Sequence, residues 1–139
     1  MSAPLFDPDK MFVYGTLMQG FALYHLLESR ARCLGRGTVP GRLVSLGDFP
    51  GLLDDPRQRV HGELYQTERP EALWRLLDEA EGFDPRDIAQ SLFAREVTHV
   101  SMADGSVIPA WVYRYKGSLN RAAPIPSGDY RLHAALAKR

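Results

Sequence analysis

Phe93-Ala94-Arg95-Glu96-Val97-Thr98-His99-Val100-Ser101-Met102 runs through Ala103-Asp104-Gly105-Ser106 into Val107-Ile108-Pro109-Ala110-Trp111-Val112-Tyr113-Arg114-Tyr115. Two runs rich in β-branched and aromatic residues are joined by four residues that hold Asp-Gly, a strong hairpin signal. The stretch predicts antiparallel strands over 93–102 and 107–115. A chain built round such a hairpin pairs its strands locally and does not need the helical crossovers of a parallel sheet.

Outward from the hairpin the elements stay short. Residues 70–82 carry the clearest helical pattern, with Leu73, Leu76, Leu77 and Ala80 at i, i+3, i+4 and i+7. Pro70 suits the first helical position, and Gly82 the left-handed position that ends a helix. Strands are predicted over 11–14, 32–39, 42–45 and 59–66, and a short helix over 21–28. Residues 47–56, dense in Gly, Asp and Pro, read as a loop. Antiparallel-type strands with few helices define the α+β class. About six short strands can curl into a small closed or nearly closed barrel.

With 139 residues the chain has room for one domain of ordinary size, spanning 1–139 with its core over about 11–130. Its 45% apolar content supports a packed core without metals or disulfides. Lys+Arg and Asp+Glu number 17 each, and that balance argues against a broad nucleic-acid-binding surface. The single cysteine, Cys33, permits no internal disulfide and fits a reducing, cytoplasmic setting. It is expected to be a small buried hydrophobe. Residues 1–10 lack the basic and apolar regions of a signal peptide. The longest uncharged run, 11–27, is broken by Gly15, Gly20 and His25, and falls short of the roughly 20 apolar residues that span a bilayer. Neither nucleic acid nor membrane is therefore an expected partner, and a monomer or weak homodimer is expected.

The familiar catalytic constellations drop out. There is no Gly-x-Ser-x-Gly elbow. His25, His61, His99 and His133 have no metal-type spacing, and His61 with Glu63 on one strand face is too few ligands. Gly35, Gly37 and Gly41 make no nucleotide-binding fingerprint. The terminal Lys138-Arg139 reads as a solvated end. Two features remain. Phe12-Val13-Tyr14-Gly15-Thr16-Leu17 is a strand running into a glycine turn. Such a turn either is plain or aims successive amides into one concavity that binds an anion such as carboxylate. Glu81 lies four residues after Leu77 and seven after Trp74, so the apolar stripe of the helix continues onto a carboxylate. It reads as a solvated helix-end residue or as a general base. In the second case burial, the negative end of the helix dipole and the like charges of Asp78 and Glu79 would raise its pKa.

Taken together the motifs resemble the gamma-glutamylcyclotransferase-like family. Phe12-Val13-Tyr14-Gly15-Thr16-Leu17 is similar to its opening motif. Gly41-Arg42-Leu43 with Leu46-Gly47-Asp48-Phe49-Pro50-Gly51-Leu52 is similar to its G-x-L and G-x-x-P-G-L stretch. Val60-His61-Gly62-Glu63-Leu64-Tyr65 and Leu77-Asp78-Glu79-Ala80-Glu81-Gly82 resemble its V-x-G-E-L-Y strand and L-D-x-x-E-G helix end. Phe93-Ala94-Arg95-Glu96-Val97, Ala110-Trp111-Val112-Tyr113 and Ser127-Gly128-Asp129-Tyr130 complete the series in order. Phe93 stands where Tyr is common, which removes a hydroxyl, and Tyr130 where Trp is frequent.

The resemblance implies a small mixed β-barrel with flanking helices. It implies an enzyme that cyclises a γ-glutamyl group to 5-oxoproline and frees the attached amine, peptide or amino acid, with no cofactor and no metal. It makes Glu81 the general acid/base and Tyr14, Gly15, Thr16 and Leu17 the loop that holds the γ-glutamyl moiety. Tyr113 and Tyr130 are candidates for orienting Glu81 or lining the pocket. Arg95 is a candidate for pairing with a substrate carboxylate or with Glu81, or for a structural ion pair. The wall facing the leaving group is expected from 47–57, 83–91 and the tail after Gly117. The alternatives are a ligand-binding member of the same fold without catalysis, or another acyl transfer in the same pocket.

Overall fold

The computed structural model describes residues 8–137. Residues 1–7, most of the stretch read for a signal peptide, and the terminal Lys138-Arg139 lie outside the described residues. In chain order the elements are β1 (Lys10–Val13), α1 (His25–Glu28), β2 (Arg32–Pro40), β3 (Arg42–Ser45), β4 (Pro50–Leu53), β5 (Arg59–Gln66), α2 (Pro70–Ala80), β6 (Phe93–Met102), β7 (Val107–Tyr115), β8 (Ala123–Ile125) and α3 (Tyr130–Ala137). The hairpin falls on its predicted residues, with Phe93 opposite Tyr115 and Ser101 opposite Val107.

Five strands close into a barrel in the order β1-β5-β2-β6-β7, and β4-β3-β8 form a separate three-stranded sheet. Every barrel pairing is antiparallel except the closing one, where Met11 of β1 lies beside Trp111 of β7 in parallel. The fold is thus α+β with a small mixed barrel, as expected, but the described residues form eight strands in place of about six. Strand alternation sorts side chains between two cores. Phe12, Val39, Val60, Leu64, Val100 and Val112 fill the barrel interior, joined by Leu43, Leu52 and Ile125 of the second sheet. Met11, Val13, Tyr65, Phe93 and Tyr113 point outward and pack against Leu73, Trp74 and Leu77 of α2.

Several local readings change. Residues 50–53, expected in a loop, form β4. Pro50 is tolerated because it opens an edge strand, where no ladder donor is lost. The helix expected over 21–28 is shortened to His25–Glu28, and two turns precede it, closed by Phe21 N–H to Met18 and Tyr24 N–H to Phe21. Ala80 is exposed, because the buried stripe of α2 turns onto Trp74 and Asp78. Cys33 is exposed rather than buried, and β2 shifts register between Cys33 and Gly35. Among the described residues no helix is long and apolar enough to cross a membrane.

One hydroxyl joins barrel and sheet. Buried Tyr14 donates to the Tyr113 carbonyl at 2.7 Å and accepts from the Leu52 amide at 3.1 Å. Tyr14→Phe would strand a donor and an acceptor out of water, so we expect it to cost about 1–3 kcal/mol. Urea unfolding should show a lower midpoint with an unchanged slope. An unchanged midpoint would mean the hydroxyl does not couple the two sheets.

Candidate active site

Glu81 is the C-cap of α2, at φ −91° and ψ 0°. Its amide donates to the Leu77 carbonyl at 2.8 Å, Gly82 donates to Glu79 at 3.3 Å, and Phe83 donates to Asp78 at 2.8 Å. With Gly82 at φ +68°, the last two bonds form a Schellman ending that satisfies the final carbonyls of the helix. A side chain at position 82 would be strained by that φ, so glycine fixes both where the helix stops and where Glu81 sits. The chain then makes an excursion over 83–91, exposed at 85–90, and returns, with the Leu92 amide donating to the Gly82 carbonyl at 3.2 Å.

A cavity of about 340 Å³ lies between this helix end and the turn after β1. Glu79, Ala80, Glu81 and Gly82 line one side, and Tyr14, Gly15, Thr16 and Leu17 line another. Phe49, Pro50, Leu92, Phe93 and Tyr113 supply much of the remaining wall. Glu81 is half-buried, and burial pushes its carboxyl up from 4.5 to about 7. The like charges anticipated from Asp78 and Glu79 are not the cause. Asp78 is neutralised by a partner of its own, and Glu79 stands in solvent.

The turn after β1 has the donors expected of it. The carbonyls of Gly15 and Thr16 accept from Met18 and Leu23. The amides of Gly15, Thr16 and Leu17 donate to no acceptor among the described residues. Three successive N–H groups beside the cavity therefore remain available to a ligand. Gly15 is required by close approach, since a Cβ there would lie 2.5 Å from Cγ of Pro50.

Two buried carboxylates hold these walls. Asp78 accepts from the Tyr113 hydroxyl at 2.6 Å and from Arg95 Nε at 2.8 Å, and the Arg95 guanidinium lies 4.5 Å over the Trp111 ring. Glu63 accepts from the Gln19 amide at 3.1 Å, the Tyr65 hydroxyl at 2.9 Å and Arg131 at 3.0 Å. Arg131 also donates to the Gln19 carbonyl at 2.8 Å, so both backbone polar groups of Gln19 in the turn are clamped.

The structure therefore brings Glu81, Tyr14, Gly15, Thr16, Leu17 and Tyr113 to one cavity. It does not bring Arg95 there. Its charge is taken by Asp78, the structural pairing that the sequence left open. Tyr130 is also off the cavity lining, packed against Phe21 at 5.3 Å and His133 at 6.1 Å. Burial and the charge of Asp48 push its phenol up. The hydroxyls of Tyr14 and Tyr113 are committed to the protein, and burial first of all pushes both phenols far up. Asp78, Glu63 and Arg131 were not singled out from the sequence as holding the site. A usable signal existed for Asp78: Arg95 and Tyr113 are direct cross-strand partners in the hairpin, and a carboxylate on the buried stripe of the helix could answer both. Among the described residues no group of acidic, His or Cys side chains could hold a metal ion.

A closed barrel with a cavity at one helix end, apolar in most of its wall and supplied with a few convergent polar groups, has the features of a small-molecule site. The chain belongs to the gamma-glutamyl cyclotransferase, AIG2-like family, which it matches over residues 11–132. It is 33% identical over 112 residues to the gamma-L-glutamyl-butirosin B gamma-glutamyl cyclotransferase of Niallia circulans, covering 80% of this chain and 69% of that one. YkqA of Bacillus subtilis shares the fold with a TM-score of 0.72 at 23% identity; the match takes in 94% of this chain but only 42% of YkqA. The ytfP protein of Escherichia coli matches with a TM-score of 0.59 at 28% identity, over 87% of this chain and 95% of that one.

The raised pKa makes Glu81 a measurable liability. Its native carboxyl keeps a proton that the unfolded chain has already lost between about pH 4.5 and 7. The contribution of Glu81 to stability therefore falls as pH rises through that window, and levels off above it. Glu81→Gln lacks this loss. We expect the variant to gain on the wild type by on the order of 2 kcal/mol between pH 5 and pH 8, scaled down for the solvent that still reaches the carboxyl. Urea midpoints of both proteins at the two pH values test this, and parallel shifts would mean that Glu81 titrates normally.

Proposed function

We propose that the protein converts a γ-glutamyl amide to 5-oxoproline and a free amine, with Glu81 as general acid/base. The observation that carries this reading is the half-buried carboxyl at about 7 lining the same cavity as three unengaged amides. The reaction is an intramolecular aminolysis. The substrate's α-nitrogen attacks its own γ-carbonyl carbon, and the bond from that carbon to the leaving nitrogen breaks. A proton must leave the attacking nitrogen and another must reach the departing one. A single group half-ionised near neutrality serves both steps.

The amides of Gly15, Thr16 and Leu17 are suited to the substrate α-carboxylate, or to the oxyanion that develops on the γ-carbonyl. Holding the flexible γ-glutamyl chain in its ring-closing conformer would supply several kcal/mol more. Tyr113, kept in place by Asp78, packs beside Glu81 as wall and spacer. The Niallia circulans relative carries the same activity in its name, which supports the reading without naming the amine released here.

The test is 5-oxoproline release from γ-glutamyl amines, amino acids and peptides, followed by mass spectrometry. Glu81→Gln is expected to lower turnover by at least about a thousandfold while the protein stays folded. In the wild type kcat/KM should fall about tenfold per pH unit below pH 7, where the base becomes protonated. Retained turnover in Glu81→Gln would remove Glu81 from the chemistry. No release from any substrate by folded wild type would leave a ligand-binding protein.

A further inference from the structure

The charge around the cavity is one-sided. Three acidic residues line it: half-buried Glu81, and Asp48 and Glu79 at the exposed edge. Among the described residues no lysine, arginine or histidine does. The cations nearby are engaged elsewhere: Arg95 by Asp78, Arg131 by Glu63, and Arg114, whose charge reaches Tyr14, by Asp54 and Glu96. Among the described residues neither Asp48 nor Glu79 has an ion-pair partner. Leu23, Phe49, Leu92 and Phe93 make much of the remaining wall apolar.

A γ-glutamyl substrate brings one carboxylate of its own, which the Gly15, Thr16 and Leu17 amides can take. A leaving group with a second carboxylate, as in an amino acid or a peptide, would enter this cavity without a counter-charge and meet acid at its edge. Burying an unpaired charge next to like charges is costly. A leaving group with an aliphatic stem and a second ammonium would lay the stem on the apolar wall and its charge against Asp48 and Glu79. We propose that the amine released by this enzyme carries a further positive charge, as a diamine or polyamine does, and that Asp48 and Glu79 select it. The inference rests on the cyclotransferase reading above.

Three γ-glutamyl amides of similar length separate the possibilities: those of butylamine, 1,4-diaminobutane and 4-aminobutanoate, which end neutral, cationic and anionic. The kcat/KM for 5-oxoproline release should be highest for the cationic probe and lowest for the anionic one, with a ratio of about tenfold or more at low salt. Raising the ionic strength should compress that ratio. The double variant Asp48→Asn, Glu79→Gln should bring it within about threefold. Equal values for the three probes, or the highest value for the anionic one, would overturn the charge selection while leaving cyclisation intact. A ratio unchanged in the double variant would overturn the assignment to Asp48 and Glu79. Release from none of the three by folded wild type would overturn the cyclotransferase reading, and the inference with it.

Discussion

The Asp78 carboxylate decides how α2 sits on the barrel. An amphipathic helix on a curved, greasy strand surface can roll about its axis, since leucines and tryptophan accept many neighbours. Asp78 removes that freedom. It sits on the buried stripe and takes a phenol from β7 and a guanidinium from β6 at 2.6 and 2.8 Å. A buried pair of this kind adds little to stability against an apolar replacement, but one orientation alone satisfies all its members. Glu81 lies three residues on, close to a full turn, so fixing the roll of the helix at Asp78 also fixes where Glu81 points.

The two carboxyls are treated in opposite ways. Asp78 is given an arginine and a hydroxyl, while Glu81 is given a largely apolar surrounding with no cation among the described residues. Side chains on one turn of one helix thus receive different tasks from environment alone, one holding and one titrating. The cost of leaving Glu81 without a counter-charge is carried by the surrounding core. A similar division separates the tyrosines, since Tyr14 and Tyr113 spend their hydroxyls on joining elements. What they offer the cavity is shape.

Much of this was legible in the sequence. The hairpin was readable because alternation and Asp-Gly agree on its register. The ends of α2 were readable because Pro70 and Gly82 each tolerate a backbone position that other residues resist. Glu81 was visible as a carboxylate extending an apolar stripe, and the motif order tied it to the glycine turn. The short edge strands β4 and β8 were not visible, since proline and glycine normally mark loops and each strand is held mainly by its partner. The last helix had a usable signal, because the Asp129 side chain accepts from the Leu132 amide at 3.1 Å as an N-cap. The Glu63–Arg131 contact joins residues 68 apart in the chain, and no spacing rule encodes it.

The bond that closes Leu92 onto Gly82 has a further consequence. Leu92 is also held from the other side, where its carbonyl accepts from the Lys116 amide at 2.8 Å. Residues 83–91 therefore hang from a neck that is stapled shut, largely in solvent. Lengthening such a loop costs only about 0.6 kcal/mol per doubling, because its ends are already together. Foreign sequence can be spliced in here, or the excursion exchanged for another, while the neck keeps Leu92 and the end of α2 in register. The same neck that frames the cavity thus also makes the excursion a permissive point of insertion.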